Sequence, residues 1–98
     1  MEDDNTIFIG KKPVMNYVLA VVTQFNNGSN DVLIKARGKA ISRAVDVAEI
    51  VRRRYIRDAT IKDVRLNTET LKGEGGRDVN VSSIEIQISR QAPQVEIT

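Results

Sequence analysis

Apolar and polar positions along the chain repeat with two different periods, and the switches between them outline six elements. Thr6-Ile7-Phe8-Ile9-Gly10 is a short β-rich run closed by a glycine, followed by Lys11-Lys12-Pro13, where proline suits the first turn of a helix. Val14, Tyr17, Val18, Val21 and Phe25 then recur at helical spacing, and Asn26-Asn27-Gly28 supplies a stop. Residues 31–37 read as a second strand, with Val32, Ile34 and Ala36 on one face and Leu33, Lys35 and Arg37 on the other; Gly38 ends it. A second helix is predicted from 39 to about 55. Its stripe is Ile41, Ala44, Val45, Ala48, Val51 and Tyr55, widened by Val47 and Ile50, while Arg43, Asp46, Glu49 and Arg53 are spaced for mutual i,i+3 and i,i+4 contacts.

The last third changes period. Val64, Leu66, Thr68 and Thr70 alternate with polar residues, as do Val79 and Val81 and then Ile84, Ile86 and Ile88, around the glycine-rich stretch 73–77. Two strands are expected, from about 60 to 71 and from 78 to 89. The alternation changes phase between Ile61 and Val64 and again at Ser82-Ser83, which predicts bulges or strong twist at both places. Strands usually run to roughly 5–6 residues, so this hairpin outreaches any helix layer and its far end should project as an arm. A chain of 98 residues has room for one domain and one core. That domain is assigned to residues 1–90, and 91–98 are expected to fray.

Composition narrows the chemistry. The chain has no cysteine and no histidine, so the usual zinc ligands, thiol nucleophile and general acid–base are missing. No enzyme activity, metal or cofactor is expected. Asp46 and Glu49 share a helical face but are better placed to pair with Arg43 and Arg53 than to hold a metal. Gly10-Lys11-Lys12 lacks the longer glycine loop and the Ser/Thr of a nucleotide-binding P-loop. The acidic opening and the absence of a long apolar run point to a cytoplasmic protein with no membrane partner.

Charge is where the sequence becomes specific. The net charge is only +2, but from 11 to 57 ten Lys/Arg stand against three acids, while the remainder carries five bases against ten acids. Such asymmetry suits a face that gathers a polyanion. A strand–helix–strand unit in one sheet is normally parallel, so the ends of the first two strands should meet at one edge. Lys11 and Lys12 would then lie beside Arg37 and Lys39, each cluster preceding a helix N-terminus that favours phosphate, with no acidic partner among those residues. Lys72 and Arg77 flank the glycine-rich tip, where an arm with bare backbone could lie along a DNA groove, although Glu74 and Asp78 are close by. Arg52-Arg53-Arg54 sit at a helix end, where they suit the dipole. Four aromatics give little material for a single-strand stacking platform.

The run Ile9-Gly10-Lys11-Lys12-Pro13-Val14-Met15-Asn16-Tyr17-Val18-Leu19-Ala20 closely resembles the Alba family of archaeal chromatin proteins. Lys35-Ala36-Arg37-Gly38-Lys39-Ala40-Ile41-Ser42-Arg43-Ala44-Val45-Asp46 is similar to the family's second signature, and Val81-Ser82-Ser83-Ile84-Glu85-Ile86 to its last strand. The resemblance implies an α+β fold of order βαβαββ, a two-layer sandwich similar to the C-terminal domain of translation initiation factor 3, with the hairpin as a projecting arm. It implies a chromosome-associated homodimer that binds double-stranded DNA, and RNA, through the phosphate backbone with little sequence specificity and helps to organise or compact the chromosome. An RNA-binding or ribonucleoprotein subunit using the same surface is the alternative. Carried over residue by residue, Lys11 and Lys12 face the backbone, with Arg37, Lys39 and Arg43 on the same surface, and Gly75, Gly76 and Arg77 belong to the arm. In some members the first lysine of the pair is acetylated, which falls on Lys11, and loss of its charge weakens binding. Tyr55 resembles the aromatic through which dimers pair side by side on DNA, leading to higher-order assembly.

Overall fold

The computed structural model describes residues 5–90, and the expected frayed tail at 91–98 lies outside them. The elements are β1 (Thr6–Phe8), α1 (Val14–Asn26), β2 (Asp31–Arg37), α2 (Ile41–Ile50), β3 (Ala59–Lys72) and β4 (Asp78–Arg90). Helix α2 is entered through a 3-10 turn, Gly38–Ala40, and leaves through a π-helical turn, Val51–Tyr55, so the predicted helix from 39 to 55 is continuous but changes pitch at both ends. The strands form one sheet in the order β1-β2-β4-β3, with β1 and β2 parallel and the other neighbours antiparallel.

Both helices lie on one face of this sheet. Val18, Val21 and Phe25 of α1 and Ala44, Val47 and Ala48 of α2 close over Val32, Ile34 and Ala36 of β2 and Ile84, Ile86 and Ile88 of β4. The α2 stripe is rotated from the expected one: Val47 is fully buried, whereas Val45 and Tyr55 are exposed. The small side chains Ala44 and Ala48 let the helix approach the sheet closely, which centres its contact between 44, 47, 48 and 51 and turns 45 outward.

The phase change predicted near Ile61 is a bulge, since Ile61 pairs with Ile88 and Asp63 with Gln87, leaving Lys62 as the extra residue. The one predicted at Ser82-Ser83 is not. Pairing there runs without interruption from Asn67↔Ser83 through Thr68↔Ser82 to Glu69↔Val81. Val79 and Val81 lie on the face away from the helices, so the apolar positions swap faces while the backbone does not. The reason is that β4 leaves one of its two neighbours there: β2 pairs with it only as far as Arg37↔Ser83. Beyond that point β3 and β4 pair only with each other, out to Lys72↔Asp78, an arm of roughly 17 Å at the usual rise per residue. The arm gives the molecule its elongated outline of 66 × 25 × 23 Å. Among the described residues no helix is long and apolar enough to cross a membrane.

Candidate nucleic-acid interface

The parallel pairing of β1 and β2 puts their C-terminal ends side by side. Thr6, Ile7 and Phe8 pair with Leu33, Ile34 and Lys35, and the Ile9 N–H donates to the Lys35 carbonyl at 2.9 Å. Lys11 and Lys12 therefore leave the sheet beside Arg37, Gly38 and Lys39, at the edge the sequence predicted. The arm springs from this same edge, because β4 runs antiparallel to β2 and continues past Arg37. Gly38 sits against the arm's base: a Cβ built there would lie 3.5 Å from Val81. Its φ of 59° is in the left-handed region, which lets the chain turn directly from β2 into the helical entry of α2.

The Lys11-Lys12 loop is held by hydrogen bonds from two directions. The Tyr17 hydroxyl oxygen accepts the Gly10 N–H at 2.9 Å and the Lys12 N–H at 3.0 Å. Its ring packs against the core, so the loop is tied one helical turn into α1. A side chain on Gly10 would press on this hydroxyl, since a Cβ would stand 3.2 Å from it. From α2, the Arg43 guanidinium donates to the Gly10 carbonyl. Helical spacing places Tyr17 in an apolar stripe and gives no sign of this second role, for which the one signal is a polar tip close in sequence to the lysine pair. Arg43 is likewise a clamp on the loop rather than half of the expected pair with Asp46. Glu49 instead takes Arg52, in a two-pronged contact at 2.6 and 3.0 Å, and Arg53 at 3.4 Å. The Arg52 hydrogen bond is the main cause that holds the Glu49 carboxyl below its ordinary 4.5, with the charges of Arg52 and Arg53 adding to it.

The other expected cations divide into two groups, since Arg43 is engaged by the Gly10 carbonyl. Arg37 ion-pairs with Glu69 at the arm's base at 3.1 Å, and Lys72 with Asp78 at 3.5 Å, so the expectation that the Arg37 cluster has no acidic partner is corrected. That partner comes from 32 residues away in sequence, on the second strand from β2, and only the sheet order brings it in. Lys11, Lys12, Lys39 and Arg77 are exposed, and none has a carboxylate within 4.0 Å among the described residues. At the tip Gly75 and Gly76 take φ values of 72° and 78°, a tight reversal closed by the Gly73 N–H donating to the Arg77 carbonyl at 2.6 Å. Tyr55 stands exposed at the far end of α2, away from this edge. No cluster of carboxylates suited to a metal occurs among the described residues. Unpaired ammonium and guanidinium groups beside helix entries can attract and hold phosphate oxygens.

Comparison with known proteins gives a consistent result. The Alba family model matches residues 5–68. The DNA/RNA-binding protein Alba of Thermoplasma volcanium is 66% identical over 90 residues, 92% of this chain and all of that protein, and its namesake from Thermoplasma acidophilum is 64% identical over the same shares. The solved structure of Alba from Thermoplasma volcanium superposes with a TM-score of 0.84 at 67% identity, covering 88% of this chain and all of the other. ALBA1 from Trypanosoma brucei, at 21% identity and a TM-score of 0.74 over 92% of this chain and 72% of that one, shares the fold. On both sequence and structure, this chain belongs to the Alba family.

Proposed function

We propose that this protein binds nucleic acid as a homodimer, gripping the phosphate backbone of duplex DNA, and of RNA, with little regard to sequence and so helping to organise the chromosome. The observation that carries the reading is the single edge at which Lys11, Lys12 and Lys39 stand without carboxylate partners and from which the arm with Arg77 departs. Phosphate contacts fix position without reading bases, and neither helix presents a row of polar side chains shaped for a major groove. The names of the Thermoplasma relatives, DNA/RNA-binding protein Alba, agree with both substrates. Arg37 and Lys72 serve in this reading as braces of the arm as much as phosphate ligands, since a phosphate must first draw them from Glu69 and Asp78. Those ion pairs are solvent-exposed and worth at most about 1 kcal/mol, so the exchange is cheap. Acetylation of Lys11 would remove one of the unpaired charges.

Dimerisation is supported by an uncovered apolar strip. Val64 and Leu66 lie on the helix side of β3, where no helix reaches, and Leu66 shares a hollow with Ile41 of α2, one turn from exposed Val45. A second copy laid on this strip would bury it. Tyr55, exposed beyond it, is the proposed contact between neighbouring dimers on DNA.

The test is binding to a random-sequence duplex and to a structured RNA across a salt series, for the parent and for Lys11→Glu/Lys12→Glu. The logarithm of the parent's affinity should fall with log salt at roughly 0.9 per neutralised phosphate, and the variant should bind all duplexes more weakly with a flatter slope. Salt-insensitive binding, or a variant that fails on one sequence only, would sink the reading.

A further inference from the structure

The sheet face opposite the helices carries an aromatic ring at the margin of the basic edge. Alternation along β1 turns Ile7 and Ile9 toward the helices and Thr6 and Phe8 away from them. The Phe8 ring is 70% exposed on an edge strand, an expensive placement for a large apolar group, and the group that stands over it is the Lys35 ammonium. Its cross-strand partner, Lys35, holds Nζ 5.8 Å from the ring centroid. Beside the ring is a hollow of about 340 Å³ bordered by Phe8, Lys35, Arg37, Ser83 and Glu85. This is within the size range of small-ligand sites.

We propose that this hollow takes one unpaired base of a single-stranded nucleic acid, stacked on Phe8, with the flanking phosphates led toward Lys35, Arg37 and the Lys11-Lys12 edge. The inference rests on the nucleic-acid reading above and adds a second substrate class to it. Charge and chemistry select this occupant. A stacked base needs one open aromatic face and cations near its backbone, and every base has such a π-face to offer. The rim adds the Ser83 hydroxyl and the Glu85 carboxylate, acceptors for exocyclic amino groups. Lys35 is tied to Glu85 only at 3.8 Å and Arg37 to Glu69 at 3.1 Å, both in solvent, so phosphate can recruit either cation at small cost. Four aromatics in the sequence argue against a platform for several bases, and the structure agrees in offering a single ring here. The site is therefore for one splayed base, at the end of a duplex or in a loop, beside the edge that grips the backbone.

The experiment compares Phe8→Ala and Phe8→Trp with the parent, using a short labelled RNA without self-complementarity and the same sequence as a duplex. Phe8→Ala should weaken single-strand binding roughly tenfold and leave duplex affinity and its salt slope within twofold. Phe8→Trp should keep single-strand affinity, and its indole emission should be quenched on binding. Equal loss on both nucleic acids, an unquenched indole, or a Phe8→Ala variant whose only change is weaker self-association would overturn the proposal, the last by showing that a second copy covers the ring. Failure of the backbone reading itself is seen separately, in the parent's duplex salt dependence.

Discussion

Two neighbouring strands share one face of the sheet and have opposite fates. Ile84 and Ile86 of β4 are 6% and 3% exposed, whereas their direct partners on β3, Leu66 and Val64, are 77% and 48% exposed. The alternation that writes both strands is equally apolar on this side, so pattern does not distinguish them. Coverage does: α1 and α2 pack over β1, β2 and β4, and the layer stops one strand short. An alternating strand therefore announces that a face is to be buried, not what will bury it. In the body the cover is helix; on β3, where Val64 and Leu66 stand exposed, and along the arm, where Val79 does, the described residues supply none.

The contrast can be broken most strongly in the body. Ile34→Ala removes a fully buried side chain and should cost about 3 kcal/mol, lowering the melting temperature by roughly 15 °C, while Val79→Ala in the arm should stay within about 0.5 kcal/mol. Equal effects in a thermal melt would mean that the arm is packed rather than bare. Leu66→Asp should spare the monomer's fold but weaken self-association by at least about tenfold in sedimentation, because it sets a charge in the strip a second copy would cover. Tyr17→Phe comes next. It should cost about 1 kcal/mol and lower duplex affinity severalfold while leaving the salt slope intact, since it loosens the lysine loop without removing a charge. The smallest effect is set by Asp31, whose carboxylate accepts from Ser89 and Gln87 across the open face. The Ser89 hydrogen bond is the main cause that holds its pKa below the ordinary 3.8, aided by Gln87 and the Lys62 charge and opposed by partial burial. A lowered folded-state value stabilises the protein above 3.8, and the gain is lost as pH falls through the depressed value. Urea unfolding of Asp31→Asn should accordingly show a shallower loss of stability in this acid range than the parent, with Glu49 still contributing to what remains.

The order of elements, the core residues of both covered strands and the bulge near Ile61 were legible because each follows from local periodicity. The meeting of Lys11-Lys12 with Gly38-Lys39 was legible too, since a strand–helix–strand unit leaves one choice of edge. Less of the side-chain chemistry was. Arg37 finds Glu69, Arg43 finds the Gly10 carbonyl rather than Asp46, and Tyr17 turns its hydroxyl back onto the loop. Each of these contacts depends on side-chain direction or on strand order, and periodicity carries neither.

The sequence by itself determined which residues seek burial, where the chain must turn and which side of the molecule is basic, because hydrophobic period, glycine conformation and charge are properties of short segments. Only the tertiary structure decided that β4 lies between β2 and β3, and with it which cations are neutralised, which apolar strip stays open and that Phe8 faces outward beside Lys35. Strand order sets the ion pairs and the neighbours of Phe8, while the open strip follows from packing one helix layer on a sheet wider than it can cover; both become visible only once the layers are assembled.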